Sequence, residues 1–155
     1  MFNFKSPAPD SDPKKTAELR KAADSARDAG QWHSAVEIYD KYLQICPDDF
    51  AIWVQKGNCA KEACLFDVSL QSYENALRLR TNDADVYVQR GHTLKLMGHR
   101  RDAIQSYRLA LSVDPEDTAA IRELRSLGQK IGIRATNRPI HIDITDLLFY
   151  MRAHL

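Results

Sequence analysis

No stretch of this sequence stays apolar over the ~20 residues that a membrane-spanning helix needs. Its opening, Met1-Phe2-Asn3-Phe4-Lys5-Ser6-Pro7, lacks the apolar centre of a secretory signal. An excess of either charge is also missing: acidic and basic residues are interspersed, and the formal net charge is +1. Nucleic acid and anionic membranes select clustered Lys and Arg, so neither is the expected partner. Cysteine is scarce. Cys46, Cys59 and Cys64 make no even disulfide framework, and Cys59 and Cys64 are not spaced like a zinc pair. They are expected to be reduced thiols of a cytoplasmic protein, two or three of them on buried helix faces. Phosphate-binding chemistry lacks its motif, because Gly128 and Gly132 follow a helical pattern and no Gly-Lys-Ser/Thr accompanies them. His33, His92, His99, His141 and His154 are too scattered to suggest a metal site. Carboxylate pairs such as Asp48-Asp49 sit where helix caps belong. No catalytic, cofactor-binding or metal-ligating residue is therefore expected.

What the chain does have is a 34-residue rhythm. With segments 16–49, 50–83 and 84–117 in register, one column holds Ala35, Ser69 and Ala103, and another holds Tyr39, Tyr73 and Tyr107. Further columns hold Tyr42, Ala76 and Ala110; Ala23, Gly57 and Gly91; Leu19, Trp53 and Tyr87; and Pro47, Thr81 and Pro115. Within each segment the apolar residues recur at helical spacing on two stretches. A turn separates them, at Gly30, at Cys64-Leu65-Phe66 and at Gly98. A repeat of this length, with small residues where two helices would cross and a proline at its end, predicts stacked helix hairpins. A helix-interior glycine costs about 1 kcal/mol relative to alanine. Two in one column therefore imply that the absent side chain lets a neighbouring helix approach.

These columns resemble the tetratricopeptide repeat (TPR) family. The resemblance implies an all-α fold: a right-handed superhelical solenoid of three helix hairpins with a C-terminal capping helix. It also implies recognition of a protein or peptide in the concave groove lined by the first helix of each hairpin. The corresponding outward positions are Arg20, Asp24 and Arg27, then Val54, Gln55, Asn58 and Lys61, then Val88, Gln89, His92 and Lys95, with Arg122 and Ser126 extending the row. Some members of the family grip the terminal carboxylate of chaperone tails through lysine, asparagine, asparagine, lysine and arginine. The matching positions here are Arg20, Asp24, Gln55, Asp85 and Gln89. Two acids where a carboxylate would sit argue against that partner.

The flanks carry further expectations. Residues 1–13, rich in Pro, Asp and Ser, read as a disordered leader before a helical domain over 14–130. Residues 118–130 read as a capping helix, with Ala120, Ile121, Leu124 and Leu127 facing inward and Arg122, Glu123, Arg125, Gln129 and Lys130 forming the polar side. In the tail, 131–155, Ile140-His141-Ile142-Asp143-Ile144-Thr145 alternates like a strand, and Asp146 to Arg152 looks like a helix start. The stretch from Ile142 to Tyr150 resembles the opening of the catalytic domain of certain bacterial glycosyltransferases. Three readings stay open. The chain is a cytoplasmic interaction scaffold, the front of such an enzyme, or a self-assembling repeat protein that docks a tail or hairpin face into a neighbour's groove.

Overall fold

The computed structural model describes residues 12–130, which fold into seven helices with no strand among them. They are α1 (Pro13–Asp28), α2 (Trp32–Ile45), α3 (Phe50–Glu62), α4 (Phe66–Leu79), α5 (Ala84–Leu96), α6 (Arg100–Val113) and α7 (Thr118–Ser126). Each odd-numbered helix packs on the even one after it, and successive hairpins stack through α2 on α3 and α4 on α5, with α7 lying on α6. The result is an all-α solenoid. None of these helices is long and apolar enough to cross a membrane.

Four aspartates start the odd helices. Asp12, Asp49, Asp83 and Asp117 accept hydrogen bonds from the backbone N–H of Lys14, Ile52, Val86 and Ala120, so each satisfies one of the donors that a helix start leaves without an intrahelical partner. The Asp12-Pro13 pair moves the first boundary: Pro13 is already helical, because proline at the first position lacks only an N–H that would have no partner. The expected leader therefore overlaps α1 by one residue. At the other end the capping helix stops at Ser126, four residues short of Lys130. Gly128 turns at φ +71°, and the Gly128 and Gln129 N–H groups close on the Arg125 and Leu124 carbonyls. The expected strand and helix start of the tail, with the enzyme resemblance they carry, lie outside the described residues.

The turns inside the hairpins use the left-handed conformation at Gly30 (φ +70°), Cys64 (φ +59°) and Gly98 (φ +79°). Only the middle one burdens a side-chain-bearing residue, and a Cβ in that conformation costs roughly 1–2 kcal/mol. Part of that would be offset by the freer unfolded chain of a glycine. Cys64→Gly is expected to stabilise the fold by about 0.5–1 kcal/mol. A thermal melt checks this, with a rise of a few degrees as the expected result. Cys64 is exposed, Cys46 half-buried and only Cys59 fully buried, so the expectation of buried thiols holds for one of the three. Burial pushes the Cys59 thiol up to about 11, which leaves it a core filler without nucleophilic character.

The column residues occupy equivalent environments. Tyr39, Tyr73 and Tyr107 are each 0% exposed, as are Ala35, Ser69 and Ala103. Gly57 and Gly91 lie against the rings of Tyr73 and Tyr107: a Cβ at either glycine would stand 2.5 Å from the ring's Cε1. The aromatic column also ties one hairpin to the preceding turn, with Trp53 Nε1 donating to the Pro47 carbonyl at 2.7 Å and the Tyr87 hydroxyl to the Thr81 carbonyl at 3.1 Å. Buried cations add register between hairpins. Lys56 Nζ reaches Asp40 at 2.5 Å on the preceding hairpin, and Arg90 donates to Ser106 at 2.6 Å while Glu74 of the preceding hairpin favours its charge.

Candidate interaction groove

The odd helices α1, α3, α5 and α7 present one row of side chains, and the spacing of that row comes from the repeat. A ladder runs along it. Arg27 Nη1 donates to Gln55 Oε1 at 3.4 Å, Lys61 Nζ to Gln89 Oε1 at 2.8 Å, and Lys95 Nζ to Glu123 Oε2 at 2.6 Å, each pair 28 residues apart. A cation on one hairpin thus meets an acceptor on the next odd helix at every step. A second set of bonds runs within hairpins: the Tyr39 hydroxyl donates to Asp24 at 2.6 Å and the Tyr73 hydroxyl to Asn58 at 2.7 Å, each across 15 residues. Arg27 also pairs with Asp24 at 3.1 Å and with Asp28 at 2.8 Å. These bonds fix rotamers before any ligand arrives.

Of the residues expected on this face, Arg20, Lys95 and Arg122 are exposed, and Asp24, Arg27, Val54, Gln55, Asn58, Lys61, Gln89 and His92 are half-buried. Val88 differs. It is 2% exposed and packs in the cluster that includes Leu94, Ala120 and Leu124, so it supports the groove from below and offers no surface. The reason is α7, whose inner side covers the last hairpin and takes Val88 with it.

Glu123 is the residue of this face that the sequence reading misplaced. Assigned to the outer polar side of α7, it is instead 12% exposed at the end of the groove, where it meets Lys95 at 2.6 Å, Arg122 at 3.6 Å and His92 at 3.8 Å. The signal was present: Gln55, Gln89 and Glu123 form one 34-residue column, and α7 continues the register of the first helices. Arg125 then falls in the column of Ala23, Gly57 and Gly91 and is exposed. No tyrosine from a following helix packs on it among the described residues.

Two groups here titrate away from their ordinary values. The Lys95 hydrogen bond, then the charges of Lys95, His92 and Arg122, hold the Glu123 carboxyl below the usual carboxylate range against its own desolvation. Burial first, then Lys61, Lys95 and Arg122, push the His92 imidazole below its ordinary value, with Glu123 opposing. Each group binds fewer protons folded than unfolded, so the stability that each contributes is complete above its unfolded value. It is lost as pH falls from that value through the folded one. The melting temperature is expected to decline below about pH 6.5, from His92 first and from Glu123 as the carboxylate range is entered. His92→Asn should flatten the upper part of that decline; an unchanged profile would contradict the burial of the imidazole.

Among solved structures the chain is similar to the TPR domain of Arabidopsis OM64, with 19% identity over 76% of this chain and 98% of that one and a TM-score of 0.67. It is likewise similar to the first TPR domain of Spaghetti (RPAP3) bound to the HSP90 peptide SRMEEVD, with 19% identity over 78% of this chain and 96% of that one and a TM-score of 0.69. A third similar structure is MamA, with 24% identity over 76% of this chain and 67% of that one and a TM-score of 0.67. No curated protein matches the sequence. Two family models described as tetratricopeptide repeat match residues 16–59 and 84–117.

Proposed function

We propose that this chain, which belongs to the tetratricopeptide repeat family, is a non-enzymatic scaffold that recognises an extended segment of a protein partner along the groove of its odd helices. One observation carries the reading: polar groups repeat along one face at the constant step of the hairpins, already oriented by the Arg27–Gln55, Lys61–Gln89 and Lys95–Glu123 bonds. A peptide has the same kind of linear periodicity, and a face ordered in advance loses little side-chain freedom when it binds one. The dispersed charge favours a protein over nucleic acid as partner.

Recognition differs from that of a chaperone tail. At the positions matching the family's carboxylate clamp, Asp24 is committed to Tyr39 and Arg27, and Asp85 is an exposed acid. Both repel a terminal carboxylate. The peptide SRMEEVD and its C-terminally amidated form are therefore expected to bind with equal affinity by calorimetry. Tighter binding of the free acid would contradict the reading of these positions.

The groove itself is tested by affinity capture with Arg20→Ala, Lys95→Ala and Arg122→Ala combined, beside a control carrying Lys41→Ala, Arg78→Ala and Arg101→Ala on the even helices. Partners should be lost from the first variant and kept by the second. The reverse pattern would place the binding surface on the other face.

A further inference from the structure

We propose that the junction of α5, α6 and α7 is a subsite for a side-chain carboxylate of the bound segment, with the Tyr107 hydroxyl as donor and His92 as a movable cover. This rests on the reading of the groove as a peptide site and says where, and for which chemistry, that site is selective.

The argument begins with a broken pattern. In the first two hairpins the column tyrosine donates to a polar side chain of its own hairpin, Tyr39 to Asp24 and Tyr73 to Asn58. In the third, His92 stands in the acceptor's place. It turns edge-on to the Tyr107 ring, with centroids 5.7 Å apart at 61°, and takes no bond from the phenol. Tyr107 is 0% exposed, and its hydroxyl is a buried polar atom without a hydrogen-bond partner among the described residues. A buried hydroxyl left unpaired is costly, and an arriving acceptor recovers that cost. The equivalent hydroxyls of Tyr39 and Tyr73 meet groove residues, so the same column geometry directs Tyr107 toward the groove beneath His92.

Charge selects the acceptor. Three cations face the imidazole, Lys61 from α3, Lys95 from α5 and Arg122 from α7, against one carboxylate, Glu123 of α7. Tyr107 of α6 faces it as a neutral phenol, and the α4 carboxylate Glu74 acts on Arg90 instead. Glu123 is already held by Lys95 at 2.6 Å. The surplus is positive, which favours an anionic acceptor over a neutral carbonyl. Protonation of His92 adds a further positive charge, so a carboxylate should bind more tightly as pH falls toward the imidazole range while it is still ionised. The clamp-matching acids, Asp24 of the first hairpin and Asp85 of the third, disfavour a chain terminus, which leaves an Asp or Glu side chain as the source.

The test uses the whole 155-residue chain, nitrogen-15 labelled, in moderate salt. The probes are acetyl-hexaglutamate amide, acetyl-hexaglutamine amide and acetyl-hexaglutamine with a free C-terminus. The glutamate probe should shift the amides of His92, Lys95 and Arg122, and bind about threefold or more tightly near pH 6 than near pH 8. Tyr107→Phe should weaken it about fivefold while leaving the melting temperature unchanged or higher, because the deleted hydroxyl has no partner among the described residues. His92→Asn, which supplies the acceptor found in the second hairpin, should weaken binding and remove its pH dependence.

Shifts confined to the Asn58 and Lys61 region, or equal affinity of Tyr107→Phe and the parent, would overturn the subsite and leave the groove intact. No shifts with the glutamate probe would likewise overturn the subsite alone, whereas shifts only on the even helices would overturn both. Equal binding of the free-terminus glutamine probe would overturn the side-chain source.

Discussion

Gly91→Leu is expected to destabilise the protein by about 3 kcal/mol, at the upper end of what overpacking costs, and to lower its melting temperature by about 10 °C. The side chain has nowhere to go. Its Cβ alone would lie 2.5 Å from Cε1 and 2.8 Å from Cδ1 of Tyr107, a ring fully buried between α5 and α6. Leucine's better helix propensity returns only about 1 kcal/mol. Gly57→Leu should behave alike, since Tyr73 stands at the same distances. Alanine at either site should cost less, because Ala23 occupies this column opposite Tyr39 and both are fully buried. The first hairpin therefore accommodates one methyl group in this column. A melt unchanged by Gly91→Leu would contradict the helix crossing described here.

Leu124→Ala is expected to cost about 3 kcal/mol, within the range for a buried leucine truncated in a core. Leu124 is 2% exposed and packs in the cluster of Val88, Leu94, Tyr107 and Leu111. The short helix α7 has few other anchors, so the loss should appear first as faster amide exchange across Thr118–Ser126. Arg125→Ala, one residue away on the exposed side, should change stability by less than about 0.5 kcal/mol. Leu124→Ala should also weaken the groove, because α7 carries Arg122 and Glu123 into it. Equal melting temperatures for the two variants would mean that α7 does not close the stack.

Much of the architecture was legible because steric demands repeat while surface demands do not. The tyrosine, alanine and glycine columns mark places where volumes must match, and Asp49, Asp83 and Asp117 mark helix starts that need an acceptor. Boundaries were less legible. Asp12-Pro13 sits in a stretch whose composition suggests a leader, and Gly128 ends α7 before the polar residues Gln129 and Lys130 that extend its pattern. The groove was legible in outline and misjudged where α7 meets the third hairpin. Val88 occupies an outward position that α7 covers, and Glu123 looked solvent-facing because a helical wheel says which residues share a side but not what that side meets. The unequal hydroxyls of Tyr39, Tyr73 and Tyr107 could not be read from their identical column, since the difference lies in Asp24, Asn58 and His92 across the hairpin.

The central claim is that the repeat columns superimpose and thereby space the groove, and proton NMR of the two helix-interior glycines tests it most directly. Rings packed on Gly57 and Gly91 should shift their Hα resonances strongly upfield and give cross-relaxation to the ring protons of Tyr73 and Tyr107 respectively, with Gly98 at an ordinary position. Hα resonances of Gly57 and Gly91 at unstructured values, without those ring contacts, would contradict it.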